Sequence, residues 1–91
     1  MRMRRMKNLD SRMEATSAFL IQTPEDYKGG WRKLKEGCAA LWVEVGCGKG
    51  KFTAETAAAN PDVLLIAVER CREAMVIAME KAQAMGLTNV F

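Results

Sequence analysis

The chain has 91 residues, with 14 lysines and arginines against 11 acidic residues, 49% apolar residues and no histidine. This composition is typical of a globular chain rather than a disordered or collagen-like one, and the length suffices for a single domain with a thin core. Without histidine, the Ser-His-Asp triad and the histidine-containing zinc sites are excluded.

Positive charge is concentrated at the start of the chain. Residues 1–36 carry nine basic and five acidic side chains, whereas residues 37–91 carry five basic and six acidic ones. Arg2, Arg4 and Arg5 precede every acidic residue, and such a run attracts polyanions, of which nucleic acid is the usual one. We therefore predict a basic arm over 1–36 and a separate unit over 37–91. A solvated, frayed terminus is the alternative interpretation of the arginines.

The sequence also bears on compartment and on metal binding. The longest fully apolar runs have six residues, far fewer than a membrane-spanning helix needs. Cys38, Cys47 and Cys71 are widely spaced and form no CxxC pair, which argues against a disulfide framework and against a metal site. We expect reduced thiols in a cytoplasmic protein that binds neither membranes nor metals.

Short helices are predicted in the arm. Residues 11–14 (Ser-Arg-Met-Glu) have the spacing of a capping box, which predicts a helix over about residues 11–20. Residues 23–26 (Thr-Pro-Glu-Asp) are a second helix start. Two glycines weaken the helix that would follow. One face of it would carry Tyr27, Trp31 and Leu34.

The second part of the chain alternates predicted strands and helices. Residues 39–45 and 63–68 are apolar on both faces, as strands covered on two sides would be. Residues 51–60 and 72–85 are predicted helices, the second ending at Gly86, and the last three residues begin a third strand. The second helix is predicted to pack on the sheet through Met75, Ala78, Met79, Ala82 and Met85. This order predicts an α/β fold with a parallel β-α-β-α-β arrangement, about half of a doubly wound sheet.

The first strand of such a sheet is normally central, with a partner on each side. Within this chain only one partner is predicted for it, so an apolar strand edge would be left open to pair with another chain. We therefore expect a truncated domain, in which the missing C-terminal half or another chain covers that edge.

A glycine-rich turn follows the first predicted strand. Gly46, Gly48 and Gly50 form a GxGxG pattern, in which glycine lets the backbone approach a ligand and the amides of the next helix face it. The dinucleotide pattern GxGxxG and the P-loop pattern both fail because Lys51 stands at the sixth position. The acidic-x-GxGxG turn of class I methyltransferases fits, with Glu44 as the acidic residue.

Two carboxylates complete this pattern. Glu69 stands 19 residues after Gly50, where it could accept hydrogen bonds from both ribose hydroxyls of a nucleoside cofactor. Glu44 would lie near the amino and sulfonium end of S-adenosylmethionine and complement its positive charge. Alternatively, Glu44 stabilises the start of the next helix, and Glu69 forms a surface ion pair with Arg70 or Arg72.

Five segments together match one enzyme family, and the match extends over nearly the whole chain. These segments are residues 1–5, 24–28 (Pro-Glu-Asp-Tyr-Lys), 43–52 (Val-Glu-Val-Gly-Cys-Gly-Lys-Gly-Lys-Phe), 66–70 (Ile-Ala-Val-Glu-Arg) and 86–90 (Gly-Leu-Thr-Asn-Val). They resemble the bacterial tRNA (guanine-N7)-methyltransferases, although they cover only about the first half of a typical member.

The resemblance implies a Rossmann-like class I methyltransferase that forms N7-methylguanosine in the variable loop of tRNA, with residues 37–91 as the N-terminal half of its cofactor domain. It implies that S-adenosylmethionine is bound by Glu44, Gly46, Gly48, Gly50 and Glu69. It also implies that the tRNA is contacted by Arg2, Arg4 and Arg5. The family's catalytic residues would lie beyond Phe91, so the 91 residues alone are expected to be inactive.

Two other functions fit the same residues. The chain could be an RNA-binding or chain-pairing module without catalysis. It could also be a class I methyltransferase with a different acceptor, because the fold and the cofactor loop do not determine the acceptor.

Overall fold

The computed structural model describes residues 7–91, so the predicted RNA-binding Arg2, Arg4 and Arg5 lie outside the described residues. Its elements, in chain order, are α1 (Leu9–Ala15), three short 3-10 helices (Ser17–Phe19, Pro24–Tyr27 and Trp31–Leu34), β1 (Ala40–Val45), α2 (Lys51–Ala59), β2 (Val63–Val68) and α3 (Arg72–Ala84).

The sheet has two parallel strands, paired from Ala40 with Val63 to Val45 with Val68. On β2, Val90 forms a further parallel bridge with Leu65. Hydrogen bonds from the Leu65 amide to the Asn89 carbonyl (2.8 Å) and from the Phe91 amide to the Leu65 carbonyl (3.0 Å) support that bridge. The predicted parallel β-α-β unit is thus present, and the predicted third strand is present as a single bridge.

The capping-box prediction is wrong. α1 begins at Leu9, and the residue before it, Asn8, has a left-handed backbone with φ of 60°. Ser11 lies inside the helix and its hydroxyl donates to the Asn8 carbonyl at 3.0 Å, so it does not cap the N-terminus. The helix also ends earlier than predicted, because the Thr16 amide donates to Met13, three residues back, and the chain continues as a 3-10 turn.

The second predicted helix of the arm is two separate 3-10 turns rather than one helix. Pro24 stands at the first turn's start as predicted, and Gly29, with φ of 76°, separates the turns. Tyr27 and Trp31 nevertheless meet, and their rings stack with centroids 5.2 Å apart.

α3 joins two parts of the core. Ala82 packs with Ala57, Leu65 and Val90 on the sheet side, whereas Val76 and Met79 pack with Met13 of α1. Of the predicted apolar stripe, Met79 and Ala82 are buried, whereas Met85, which follows the last helical residue, is exposed. Gly86 ends the helix as predicted, with its amide donating to Gln83 and the next amide donating to Ala82.

The two strands differ in burial, which corrects the prediction that both are covered on two faces. In β2, Leu64 is fully buried and Ile66 is 8% exposed, whereas in β1 Val43 is 62% and Val45 is 81% exposed. β2 has a neighbour on each edge, but within residues 7–91 the strand β1 pairs with β2 alone. In this part of the chain, the outer edge of β1 therefore has no neighbouring strand.

Candidate cofactor site

The glycine turn and Glu69 meet at the carboxyl edge of the sheet. The turn follows β1 directly and Glu69 follows β2, and because the strands are parallel both ends lie at one edge. The amides of Gly46 and Cys47 donate to the Val68 carbonyl at 2.7 and 3.2 Å. These bonds hold the turn beside the residue that carries the second predicted carboxylate.

Glu69 bridges the turn and the start of α3. Its Oε1 accepts from the Gly48 amide at 2.8 Å and its Oε2 accepts from the Cys71 amide at 2.9 Å. The bonds from Cys71 and Gly48 lower the pKa of Glu69 below its usual value, because they stabilise the charged form. A carboxylate oxygen accepts more than one hydrogen bond, so an ionised Glu69 retains acceptor capacity for a ligand.

Of the two arginines considered as ion-pair partners of Glu69, Arg72 is engaged elsewhere, and the side chain of Arg70 contributes only its charge, as the smallest of the effects that lower the pKa of Glu69. Arg72 instead lies 3.6 Å from Asp10, and the hydrogen bonds to Glu69 come from backbone amides.

Glu44 contacts the start of α2, although not as an N-cap, since the N-cap Gly50 region shows no side-chain capping hydrogen bond. Its Oε1 accepts a hydrogen bond from the hydroxyl of Thr53, a buried residue in the first turn of α2. Glu44 therefore stabilises the start of that helix, and its contact with a cofactor stays a prediction. Sequence reasoning missed Thr53; the available signal was a hydroxyl in the first turn after the GxGxG pattern.

The three glycines of the turn are required for two different reasons. All have left-handed backbones, with φ of 76° at Gly46, 56° at Gly48 and 78° at Gly50. A Cβ at Gly46 or Gly48 would meet open space, but one at Gly50 would lie 2.5 Å from the Ala78 Cβ and 2.8 Å from its Cα. Gly50 is therefore also the point of close approach between α2 and α3.

Four amides of the turn are engaged within the protein. Those of Gly46 and Cys47 donate to Val68, that of Gly48 donates to Glu69, and that of Gly50 donates to the Cys47 carbonyl at 3.0 Å. The first intrahelical donor of α2 is Ala54, which donates to Gly50. The amides of the helix's first turn are therefore the donors that this region offers to an anion.

A mainly apolar cavity of about 470 Å³ lies beside the turn. Cys47, Gly50 and Glu69 line it from the turn side, and Phe19 and Trp31 line it from the N-terminal segment, which is the described part of the arm, residues 7–36. The volume is in the range of small-molecule sites. Sequence reasoning placed Trp31 on a helical face with Tyr27 but gave no signal that it lines this cavity.

The chemistry available at the turn is binding rather than nucleophilic attack. Burial raises the pKa of the Cys47 thiol, and the charges of Glu69 and Glu44 raise it further, so the thiol stays protonated at neutral pH. In residues 7–91, no three cysteine or acidic side chains come together as metal ligands would. Over the same residues, no helix has the length and apolar character needed to cross a membrane.

Comparison with known proteins identifies the family. A family model described as "Putative methyltransferase" matches residues 39–91, more than half of the chain. The chain belongs to this methyltransferase family. The match covers β1, the glycine turn, both carboxylates and α3.

Individual relatives carry a more specific name, tRNA (guanine-N(7)-)-methyltransferase. The relative from Acetivibrio thermocellus is 40% identical over 83 residues, which cover 91% of this chain and 38% of that protein. The one from Geobacillus kaustophilus is 38% identical and the one from Bacillus cytotoxicus 34%, each over 99% of this chain and 42% of the relative. The methyltransferase chain thus spans about two fifths of the length of these relatives and matches their N-terminal part.

Proposed function

We propose that the chain is the cofactor-binding part of an S-adenosylmethionine-dependent methyltransferase that forms N7-methylguanosine in tRNA. The observation that carries this proposal is the joint placement of the glycine turn and the ionised Glu69 at one sheet edge, beside a cavity of about 470 Å³. The names of the relatives supply the acceptor. Three widely spaced cysteines without a CxxC pair support a cytoplasmic setting.

The residues at this edge fit S-adenosylmethionine, which supplies the methyl group when bound. Glu69 would accept hydrogen bonds from the ribose hydroxyls while the amides of Gly48 and Cys71 hold its carboxylate. Glu44 places a second carboxylate at the turn, where negative charge complements a sulfonium. The first-turn amides of α2 would hold the carboxylate of the methionine part.

Gly46, Gly48 and Gly50 complete the proposed cofactor contacts through the backbone. Their left-handed conformations give the turn its shape, and the absence of side chains at Gly46 and Gly48 leaves open space beside it. A Cβ at either position would extend into that space and would also strain the backbone.

Transfer to guanine N7 needs no general base, because that nitrogen carries a free lone pair. The acceleration then comes mainly from aligning the acceptor with the methyl group, which requires an acceptor site as well as a cofactor site. We propose that residues 37–91 serve the cofactor site and that the arm, residues 1–36, contacts tRNA through Arg2, Arg4 and Arg5. We propose that the acceptor-binding and catalytic residues correspond to the part of the relatives that this chain does not match. The 91 residues alone would therefore not catalyse methyl transfer to tRNA.

Calorimetric titration of the chain with S-adenosylhomocysteine tests the cofactor part of this proposal. We expect weak, saturable, one-to-one binding, and the absence of any binding would contradict the proposal. Incubating the chain with labelled S-adenosylmethionine and unmodified tRNA tests the remainder. We expect no label in the tRNA, and turnover by the 91-residue chain would refute its inactivity.

A further inference from the structure

We propose that the N-terminal segment forms one wall of the cofactor cavity and that the indole of Trp31 contacts the purine of the bound nucleoside. This inference rests on the proposed function and extends it, because neither the family match over residues 39–91 nor the glycine pattern includes the segment.

The segment is a fixed part of the fold because α1 is anchored on α3. Met13 is 8% exposed and packs against Val76 and Met79. Arg12 forms a two-pronged ion pair with Glu80, with its Nε 2.8 Å from Oε2. These contacts fix the position at which the chain leaves α1.

Beyond this anchor the chain reaches the cavity. Phe19 contacts both core clusters and, with Leu20 and Ile21, lines the cavity. After Pro24 the chain turns, and Trp31 lines the same cavity. The Trp31 ring stacks on Tyr27 with planes inclined at 27°, so a neighbouring aromatic ring supports the indole.

The lining of the cavity offers two kinds of chemistry, and adenosine has the matching parts. Glu69 contributes an ionised acceptor on the turn side, which suits the ribose hydroxyls. The N-terminal segment contributes apolar and aromatic side chains, which suit the flat purine. An aromatic side chain stacks favourably on any nucleobase. A single bound nucleoside would therefore touch both the turn and the N-terminal segment.

Two single-tryptophan variants test the contact directly. Trp42→Phe leaves Trp31 as the reporter, whereas Trp31→Phe leaves Trp42, which is 42% exposed on β1 and does not line the cavity. On titration with S-adenosylhomocysteine, we expect the Trp31 emission to change saturably at the concentrations seen by calorimetry. The Trp42 emission should stay constant, which makes it the matched control.

Affinity provides a second measurement. Trp31→Ala should weaken binding about tenfold, Trp31→Phe less than about threefold, and Trp42→Ala not measurably, as expected for loss of one stacking contact. If calorimetry shows binding but the Trp31 emission stays constant, the inference is overturned and the proposed function stands. If neither the unaltered chain nor any variant binds S-adenosylhomocysteine, both the proposed function and this inference are contradicted. Should Trp31→Ala fail to fold, the emission titration of Trp42→Phe still tests whether Trp31 contacts the ligand.

Discussion

The carboxylate of Glu69 is fixed by one backbone amide on each oxygen, from Gly48 and from Cys71. These two bonds come from two different parts of the chain and set the plane of the carboxylate. The position of the proposed ribose acceptor therefore depends on the backbone of the turn and of α3. At this scale, charge and backbone geometry can be tested separately.

Replacing Glu69 by glutamine tests the charge. Glu69→Gln keeps the size of the side chain but removes the ionised acceptor, so S-adenosylhomocysteine binding should weaken by about 1–3 kcal/mol. Isothermal titration calorimetry measures the change. Glu55→Gln, at an exposed position on α2, is the matched control and should bind like the unaltered chain. If the two variants bind S-adenosylhomocysteine equally well, Glu69 does not contact the cofactor.

The lowered pKa of Glu69 predicts a dependence of stability on pH. An unfolded glutamate has a pKa of about 4.3, and the amide bonds favour the charged form in the folded state. The stabilisation is therefore complete above the unfolded pKa and is lost as the pH falls through the lower folded pKa. Urea unfolding between about pH 3 and pH 6 should show a smaller acid loss for Glu69→Gln than for the unaltered chain. Parallel curves would contradict this, since Glu80 titrates in both proteins.

The glycines of the turn allow backbone strain and close packing to be separated. Gly48→Ala should cost about 1–2 kcal/mol, because alanine is strained at positive φ but its Cβ would meet open space. Gly50→Ala should cost about 1–3 kcal/mol more, because its Cβ would collide with the backbone of Ala78. Urea unfolding of both variants measures the difference, and equal losses would show that α2 and α3 are not in close contact there.

At the scale of elements, α3 holds the molecule together. It packs on the sheet side through Ala82 and on α1 through Val76 and Met79, and its Glu80 pairs with Arg12. The sequence predicted one apolar stripe facing a sheet. The structure shows that the helix serves two neighbours, because the N-terminal segment returns to cover its other side.

Two methionines, one within α3 and one directly after it, allow a core position to be compared with a surface position. Met79 is 6% exposed and Met85 is 48% exposed. Met79→Ala should lower the free energy of unfolding by about 2–5 kcal/mol, because it leaves a cavity between α1 and α3. Met85→Ala should change it by no more than about 0.5 kcal/mol. Similar losses of unfolding free energy for the two variants would show that α1 does not pack on α3 at Met79.

At the scale of the whole molecule, the described residues leave the β1 edge uncovered. Trp42, Val43 and Val45 are all exposed, and an apolar strand edge pairs readily with another chain. We propose that this edge is the surface to which a further part of the longer relatives' fold, or another chain, adds.

A charge on this edge should therefore reduce self-association. Val45→Lys places an ammonium group on a residue that is 81% exposed, so folding should be unaffected while edge pairing is disfavoured. Sedimentation velocity over a range of concentrations should show less association than in the unaltered chain. Ala58→Lys, on an exposed face of α2, carries the same charge and serves as the control. A chain that is monomeric at every concentration without any substitution would contradict this prediction.

Much of the local structure could be predicted from the sequence. β2 has the predicted bounds, and β1, α2 and α3 begin or end within one residue of them. These segments carry their signals in adjacent residues: apolar runs for the strands, and a positive-φ glycine at the end of α3. The capping box at residues 11–14 failed, since the helix starts earlier, at Leu9, which packs against the cluster of Met13, Val76 and Met79.

The sequence by itself determined the order of strands and helices over residues 39–91, the GxGxG turn and the positions of the two carboxylates beside it, because those signals depend on neighbours in the chain. Only the tertiary structure decided how they are used. Glu69 meets the Gly48 amide across 21 residues and Arg12 meets Glu80 across 68, and no local spacing encodes such contacts. The engagement of Glu44 by Thr53, the exposure of β1 and the placement of Trp31 at the cavity likewise depend on which elements pack together.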